Sequence, residues 1–75
     1  MAFAVYGPGG HIFGVLRQTM REAEQDAQRA ATSRTLEVWW LNDCGVRKVL
    51  LATCSRGEVA RNADGEAVAA EESGR

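Results

Sequence analysis

Thr35-Leu36-Glu37-Val38-Trp39-Trp40-Leu41 decides how this chain folds. The stretch is rich in β-branched and aromatic residues, and a turn signal, Asn42-Asp43-Cys44-Gly45, follows it. A strand sends successive side chains to opposite faces of its sheet. Leu36, Val38 and Trp40 therefore share one face, and Glu37, Trp39 and Leu41 share the other. The two adjacent tryptophans cannot both lie beneath one helix.

Residues 46–54, VRKVLLATC, read as the return strand. If Leu41 faces Val46, Trp40 falls opposite Arg47, Trp39 opposite Lys48 and Val38 opposite Val49. Val49 and Leu51 then join the Leu36, Val38 and Trp40 face, which is the more uniformly apolar one and is expected to lie under the helix. Val46, Lys48 and Leu50 join Trp39. Ser55-Arg56-Gly57-Glu58 is a second turn signal, and Val59-Ala60-Arg61 reads as a short fifth strand.

Upstream, the helix start is marked by Thr19-Met20-Arg21-Glu22. The pattern places a Thr at the N-cap and a Glu three residues later, reaching back. Met20, Ala23, Ala27, Ala30 and Ala31 form one stripe, so a helix is expected over 20–33. Ile12 and Leu16 continue that spacing toward the N-terminus. A helix begun at His11, however, would hold Gly14 in its interior, at about 1 kcal/mol relative to Ala. Residues 2–6 and 11–17 are therefore read as a hairpin closed by Gly7-Pro8-Gly9-Gly10. Phe3, Val5, Ile12 and Leu16 would enter the core. Ala4, Tyr6, His11, Phe13 and Val15 would join Trp39 on the other face.

The expected architecture is α+β: a two-layer ββαββ domain over 1–61, with one helix on a four-stranded antiparallel sheet and a short fifth strand. The last 14 residues carry four acids and one Arg and are small and polar, so 62–75 reads as a flexible acidic tail or a frayed hairpin at Asp64-Gly65.

The chain has 75 residues, with 9 Lys and Arg against 10 Asp and Glu. That balance argues against both a nucleic-acid mimic and a strongly basic polyanion binder. Setting aside Ala, Cys and Met1 leaves nineteen side chains large enough to build a core, sufficient for a thin domain but not for a deep catalytic cleft. No apolar run approaches the roughly 18 residues that span a bilayer, and the N-terminus lacks a basic segment before an apolar one. No membrane partner and a cytoplasmic location with reduced thiols are expected. Only Lys48 among the basic residues is not Arg, a composition typical of GC-rich bacterial or phage genomes.

The chemistry-bearing residues are few. His11 is the lone histidine, and it follows a Gly-rich turn that feeds a strand rather than a helix, which disfavours a phosphate nest. Cys44 and Cys54 lack a base and an orienting group, and ten residues of strand put them roughly 30 Å apart, too far to bridge. Asp43 and Glu58 fall in different turns. No enzyme, cofactor or metal site is expected.

A helix can cover only one face of the sheet, so Phe13, Trp39, Leu41, Val46, Leu50 and Tyr6 are expected to form an apolar patch, with Lys48 and Arg47 beside it. Such patches mark interaction surfaces. Three occupants fit: the chain's own C-terminal segment, a second copy in a homodimer, or a different protein.

The stretch Gly14-Val15-Leu16-Arg17-Gln18-Thr19-Met20-Arg21-Glu22-Ala23 resembles the strand-to-helix junction of phage integrase arm-binding domains and plant ethylene-response domains. That resemblance implies a nucleic-acid partner read through the open sheet face by several Arg. The comparable face here offers mainly Lys48, and stacking of single strands on Trp39, Phe13 and Tyr6 would have to substitute. The size and strand–strand–helix–strand–strand order also resemble accessory proteins of phages and plasmids, including some anti-CRISPR inhibitors. That likeness implies a binding module that works by occupying a protein surface, with Trp39 as its anchor.

Overall fold

The computed structural model describes residues 2–74. It is an α+β fold in which strands β1 (Ala2–Tyr6), β2 (Thr35–Leu41), β3 (Arg47–Ser55) and β4 (Glu58–Arg61) form an antiparallel sheet in the order β1-β2-β3-β4. Helix α1 (Met20–Ala30) packs on this four-stranded sheet, as expected for a two-layer ββαββ chain, and a second helix, α2 (Ala63–Ser73), follows β4.

The alternation of β2 places the core as its sequence dictates. Leu36 and Val38 are fully buried with Met20, Ala23, Ala27 and Ala31 of the α1 side, and Trp40 and Val49 pack against that cluster. Trp39 lies on the opposite face beside Ala4, Tyr6 and Leu41. The alanine stripe lets α1 sit close to the sheet.

The β2–β3 register differs from the expected one. Trp40 pairs with Val49, Trp39 with Leu50, Leu41 with Arg47 and Val38 with Ala52. Two irregularities, between Val38 and Trp39 and between Trp40 and Leu41, leave Leu51 and Lys48 as extra residues on β3. Each bulge reverses the phase of the strand. Leu51 and Ala52 are thus both buried opposite Val38. Arg47, expected on the helix side, emerges beside Leu41 on the other face.

The expected strand over 11–17 is reduced to two isolated bridges on β1, Tyr6 with Ile12 and Phe3 with Arg17. The bridges lie three residues apart on β1 and five apart on the other segment, so two residues loop out between them. Gly14, at φ 92°, supplies the left-handed turn this requires. As a result Ile12 and Leu16 do not enter the core; both are about half exposed.

Helix α1 ends at Ala30, three residues before the expected end, where Ala31 turns back with its N–H on the Ala27 carbonyl. Its start is the expected one: the Thr19 hydroxyl oxygen accepts from the Glu22 N–H at 3.2 Å. The Glu22 carboxylate takes the Thr19 hydroxyl at 2.9 Å, whereas the expected capping box has it take a backbone N–H. The N–H groups of Met20 and Arg21 instead donate to the Glu72 carboxylate at 2.9 and 3.3 Å. A carboxylate there also suits the positive end of the helix dipole.

Glu72 belongs to α2, in the stretch read from sequence as a flexible acidic tail. Asn62 caps this helix, its side-chain oxygen accepting from Gly65 N–H at 2.8 Å while its amide donates to the Leu50 carbonyl. Val68 and Ala69 pack on the α1-side core. The C-terminal segment therefore covers the same face as α1, and not the Trp39 face. Ion pairs brace the layers. Arg61 of β4 makes two 2.7 Å bonds to the nearly buried Glu24 of α1, and Arg17 reaches Asp26 at 2.6 Å. These carboxylates hold both guanidinium pKa values above the ordinary arginine value.

Two predictions follow from the packing of this face. A Cβ at Gly65 would collide with the Leu51 carbonyl oxygen and lie 3.2 Å from Met20 Cε. Gly65→Ala is expected to lower unfolding free energy by about 2–3 kcal/mol in urea titrations, as overpacking does; an unchanged midpoint would show that α2 does not press on β3. Burial, aided by the Glu24 charge, pushes the fully buried Cys54 thiol up to about 11. Its unfolded counterpart ionises at lower pH. The resulting stabilisation is complete below the usual thiol range, about 8.5, and is lost as pH rises toward 11. At about pH 8 a disulfide reagent should titrate Cys44 alone in the native protein and both thiols in denaturant. Prompt native reaction of both would show local opening of the core.

Candidate functional site

The face opposite the helices is built on Tyr6, Trp39 and Leu41. Tyr6 and Leu41 are buried, and Trp39 is partly buried, its indole N–H donating to Glu37 Oε1 at 3.1 Å. The Arg47 guanidinium lies over both rings, 4.6 Å from the Tyr6 centroid and 5.1 Å from that of Trp39. This arrangement follows from the bulge at Lys48, which turns Arg47 onto this side. The stack is a cation–π arrangement in which an arginine serves as lid. The expected open aromatic patch is thus partly closed by the chain's own side chains.

The remaining sequence-predicted site residues divide. Leu50 pairs with Trp39 and is partly buried, so it belongs to the same face. Lys48 is exposed at the bulge. Phe13 stands apart. The Arg34 guanidinium lies 5.3 Å from its ring centroid, and a side chain begun at Gly7 would touch Leu36 of the helix-side core at 3.5 Å and Phe13 at 3.9 Å. Phe13 thus sits at the β1 edge, next to Arg34.

What the sequence reading missed is the segment that carries Phe13. Residues 8–16 are exposed without interruption. Within them Ile12 is 50% exposed, Phe13 37%, Val15 61% and Leu16 52%. The segment is nevertheless held to β1. Gly7 N–H donates to the His11 carbonyl at 2.9 Å, Phe13 N–H to the Val5 carbonyl at 2.7 Å, and Phe3 and Arg17 exchange two bonds of 2.8 Å. These backbone bonds fix a ledge of apolar side chains along the sheet edge. The sequence signal for the ledge was the run HIFGVL; the two-residue excess that turns its side chains outward leaves no mark in composition.

The ledge carries a cationic border. Ile12 bridges to Tyr6, whose ring lies under Arg47, and a side chain begun at Gly10 would come 3.5 Å from Arg47 Nη2. Arg34 stands over Phe13. Among the described residues no carboxylate lies within ion-pair distance of Arg34, Arg47 or Lys48. Arg17, at the far end, is neutralised by Asp26.

The helix side carries shallow concavities, the smallest over Gln25, Gln28 and Arg29 of α1. One, of about 540 Å³, is lined by Phe3, Gln18, Thr19, Trp40, Val68, Glu71 and Glu72. Another, of about 350 Å³, surrounds the Glu24–Arg61 pair. In the first, Glu72 is committed to the α1 N-terminus. Among the described residues no group of three or more His, Cys, Asp or Glu is placed to hold a metal ion. No helix among them is long and apolar enough to cross a membrane.

Comparison with protein families, curated proteins and solved structures finds no match to this chain.

Proposed function

We propose that this chain is a non-enzymatic binding module that docks on a protein partner through the Ile12–Leu16 ledge, with the Tyr6, Trp39 and Arg47 face beside it. The observation that carries this reading is the exposure of Ile12, Phe13, Val15 and Leu16, four large apolar side chains on a segment tied to β1 by backbone bonds at His11, Phe13 and Arg17. An isolated exposed leucine needs no explanation, but four large exposed apolar side chains within five successive residues of a small domain mark an interaction surface.

Magnitudes limit what the ledge does alone. Covering a fully exposed side chain of this size contributes about 1.5–3 kcal/mol, so four half-exposed ones supply about 4 kcal/mol. That corresponds to a Kd of about 1 mM before the loss of translational freedom is counted. A working interface must therefore add charge-assisted contacts, and Arg34 and Arg47 stand where these would form. Such a module acts by occupancy, blocking or bridging a surface. An inhibitor of a host macromolecular complex, of the kind mobile elements encode, is the concrete form in which occupancy alone suffices. A nucleic-acid role through base stacking is less well supported, because Arg47 already covers the Tyr6 and Trp39 rings.

A photo-crosslinking amino acid at Val15, with the same substitution at Arg29 on the exposed side of α1 as control, tests this in the cells that express the protein. Discrete protein adducts at Val15 and none at Arg29 are expected. No adduct at Val15, or one removed by nuclease, would overturn the docking reading.

A further inference from the structure

We infer that the ledge takes an acidic amphipathic segment of a partner protein, its apolar side chains on Ile12, Phe13, Val15 and Leu16 and its carboxylates on Arg34 and Arg47. The inference rests on the docking reading and adds the chemistry of the partner.

Charge decides between occupants. The two guanidiniums stand at the Ile12–Phe13 end of the segment, one over Phe13 on the helix side of the β1 edge and one over Tyr6 beside Ile12 on the other side, and neither has a carboxylate partner among the described residues. Each is oriented by the ring beneath it, which leaves its N–H edge for a bidentate carboxylate. A second copy is a poor occupant. Pairing ledge to ledge would bring Arg34 and Arg47 of two chains together. Pairing the ledge with α2 of another copy would meet a helix without an apolar stripe, whose Glu72 carboxylate is already held by the Met20 and Arg21 N–H groups. A nucleic acid supplies phosphates for the arginines but leaves Ile12, Val15 and Leu16 against a polar backbone.

The test uses the full chain and two fluorescein-labelled peptides with identical Leu and Phe positions, one carrying Glu and the other Lys at every polar position. Anisotropy titrations should show the Glu peptide binding at least ~10-fold more tightly than the Lys peptide, with the preference shrinking as salt rises. The Arg34→Glu, Arg47→Glu double variant should reverse the order, and Arg34→Glu alone should weaken the Glu peptide. Val15→Asp with Leu16→Asp should abolish both. Circular dichroism confirms that each variant is folded. Equal binding of the two peptides, failure of the Glu peptide to bind, or an order unmoved by charge reversal overturns the acidic partner. The docking reading stands in those cases if crosslinking at Val15 succeeds. Tighter binding of a short DNA duplex than of the Glu peptide overturns the inference in favour of a nucleic acid.

Discussion

Everything in this molecule depends on the period of two in β2. Because neighbouring side chains of a strand point to opposite faces, Trp39 and Trp40 are separated by the full thickness of the sheet. The face of Leu36, Val38 and Trp40 acquires both helices, and the face of Trp39 acquires none. Once α1 has settled on the alanine stripe, α2 has a place only beside it. Asn62 turns the chain off β4, Gly65 passes against the Leu51 carbonyl, and Glu72 ends at the bare N–H groups of Met20 and Arg21. The Asn62 and Glu72 contacts each satisfy polar groups that would otherwise be left open where the layers meet, and the bare Gly65 leaves room for the Leu51 carbonyl, which accepts from Asn62 N–H.

The other face is finished differently. Among the described residues it has no second layer, and its two most buried large side chains, Tyr6 and Leu41, are shielded by side chains of the sheet itself. Arg47 replaces a layer. Its planar guanidinium covers ring faces while its edge stays hydrated, which a lysine ammonium at the same place would not do. This explains why the sheet tolerates an uncovered face without a large open aromatic patch. It also moves the exposed apolar surface from the middle of the sheet to the β1 edge, at 12–16.

Local rules made much of this legible in the sequence. The alternation of 35–41, the turns at 42–45 and 55–58 and the Thr19 cap each follow from a few neighbouring residues, and they fix the α+β layering and the opposite placement of Trp39 and Trp40. The parts that were not legible depend on counting across strands or on tertiary partners. The extra residues Leu51 and Lys48 look like any other strand residues, yet they shift the register and carry Arg47 to the other face. Residues 11–17 have strand-forming side chains, but the five-against-three spacing of their bridges is a property of the pair. Helix α2 has no apolar stripe to announce it, and its stabilising contacts lie on β3 and α1.

The ledge is the feature the fold does not explain. A domain of this size is short of apolar side chains, because a large fraction of any small chain is surface. Of the nineteen suited to a core, five, namely Ile12, Phe13, Val15, Leu16 and Val46, remain exposed. The bonds that fix 11–17 to β1 are backbone bonds, which polar side chains at these positions would leave intact. The segment's conformation therefore requires Gly14 but not isoleucine, phenylalanine, valine or leucine around it. On the docking reading proposed above their apolar character serves a covering partner, and the border arginines, without a carboxylate partner among the described residues, narrow its chemistry.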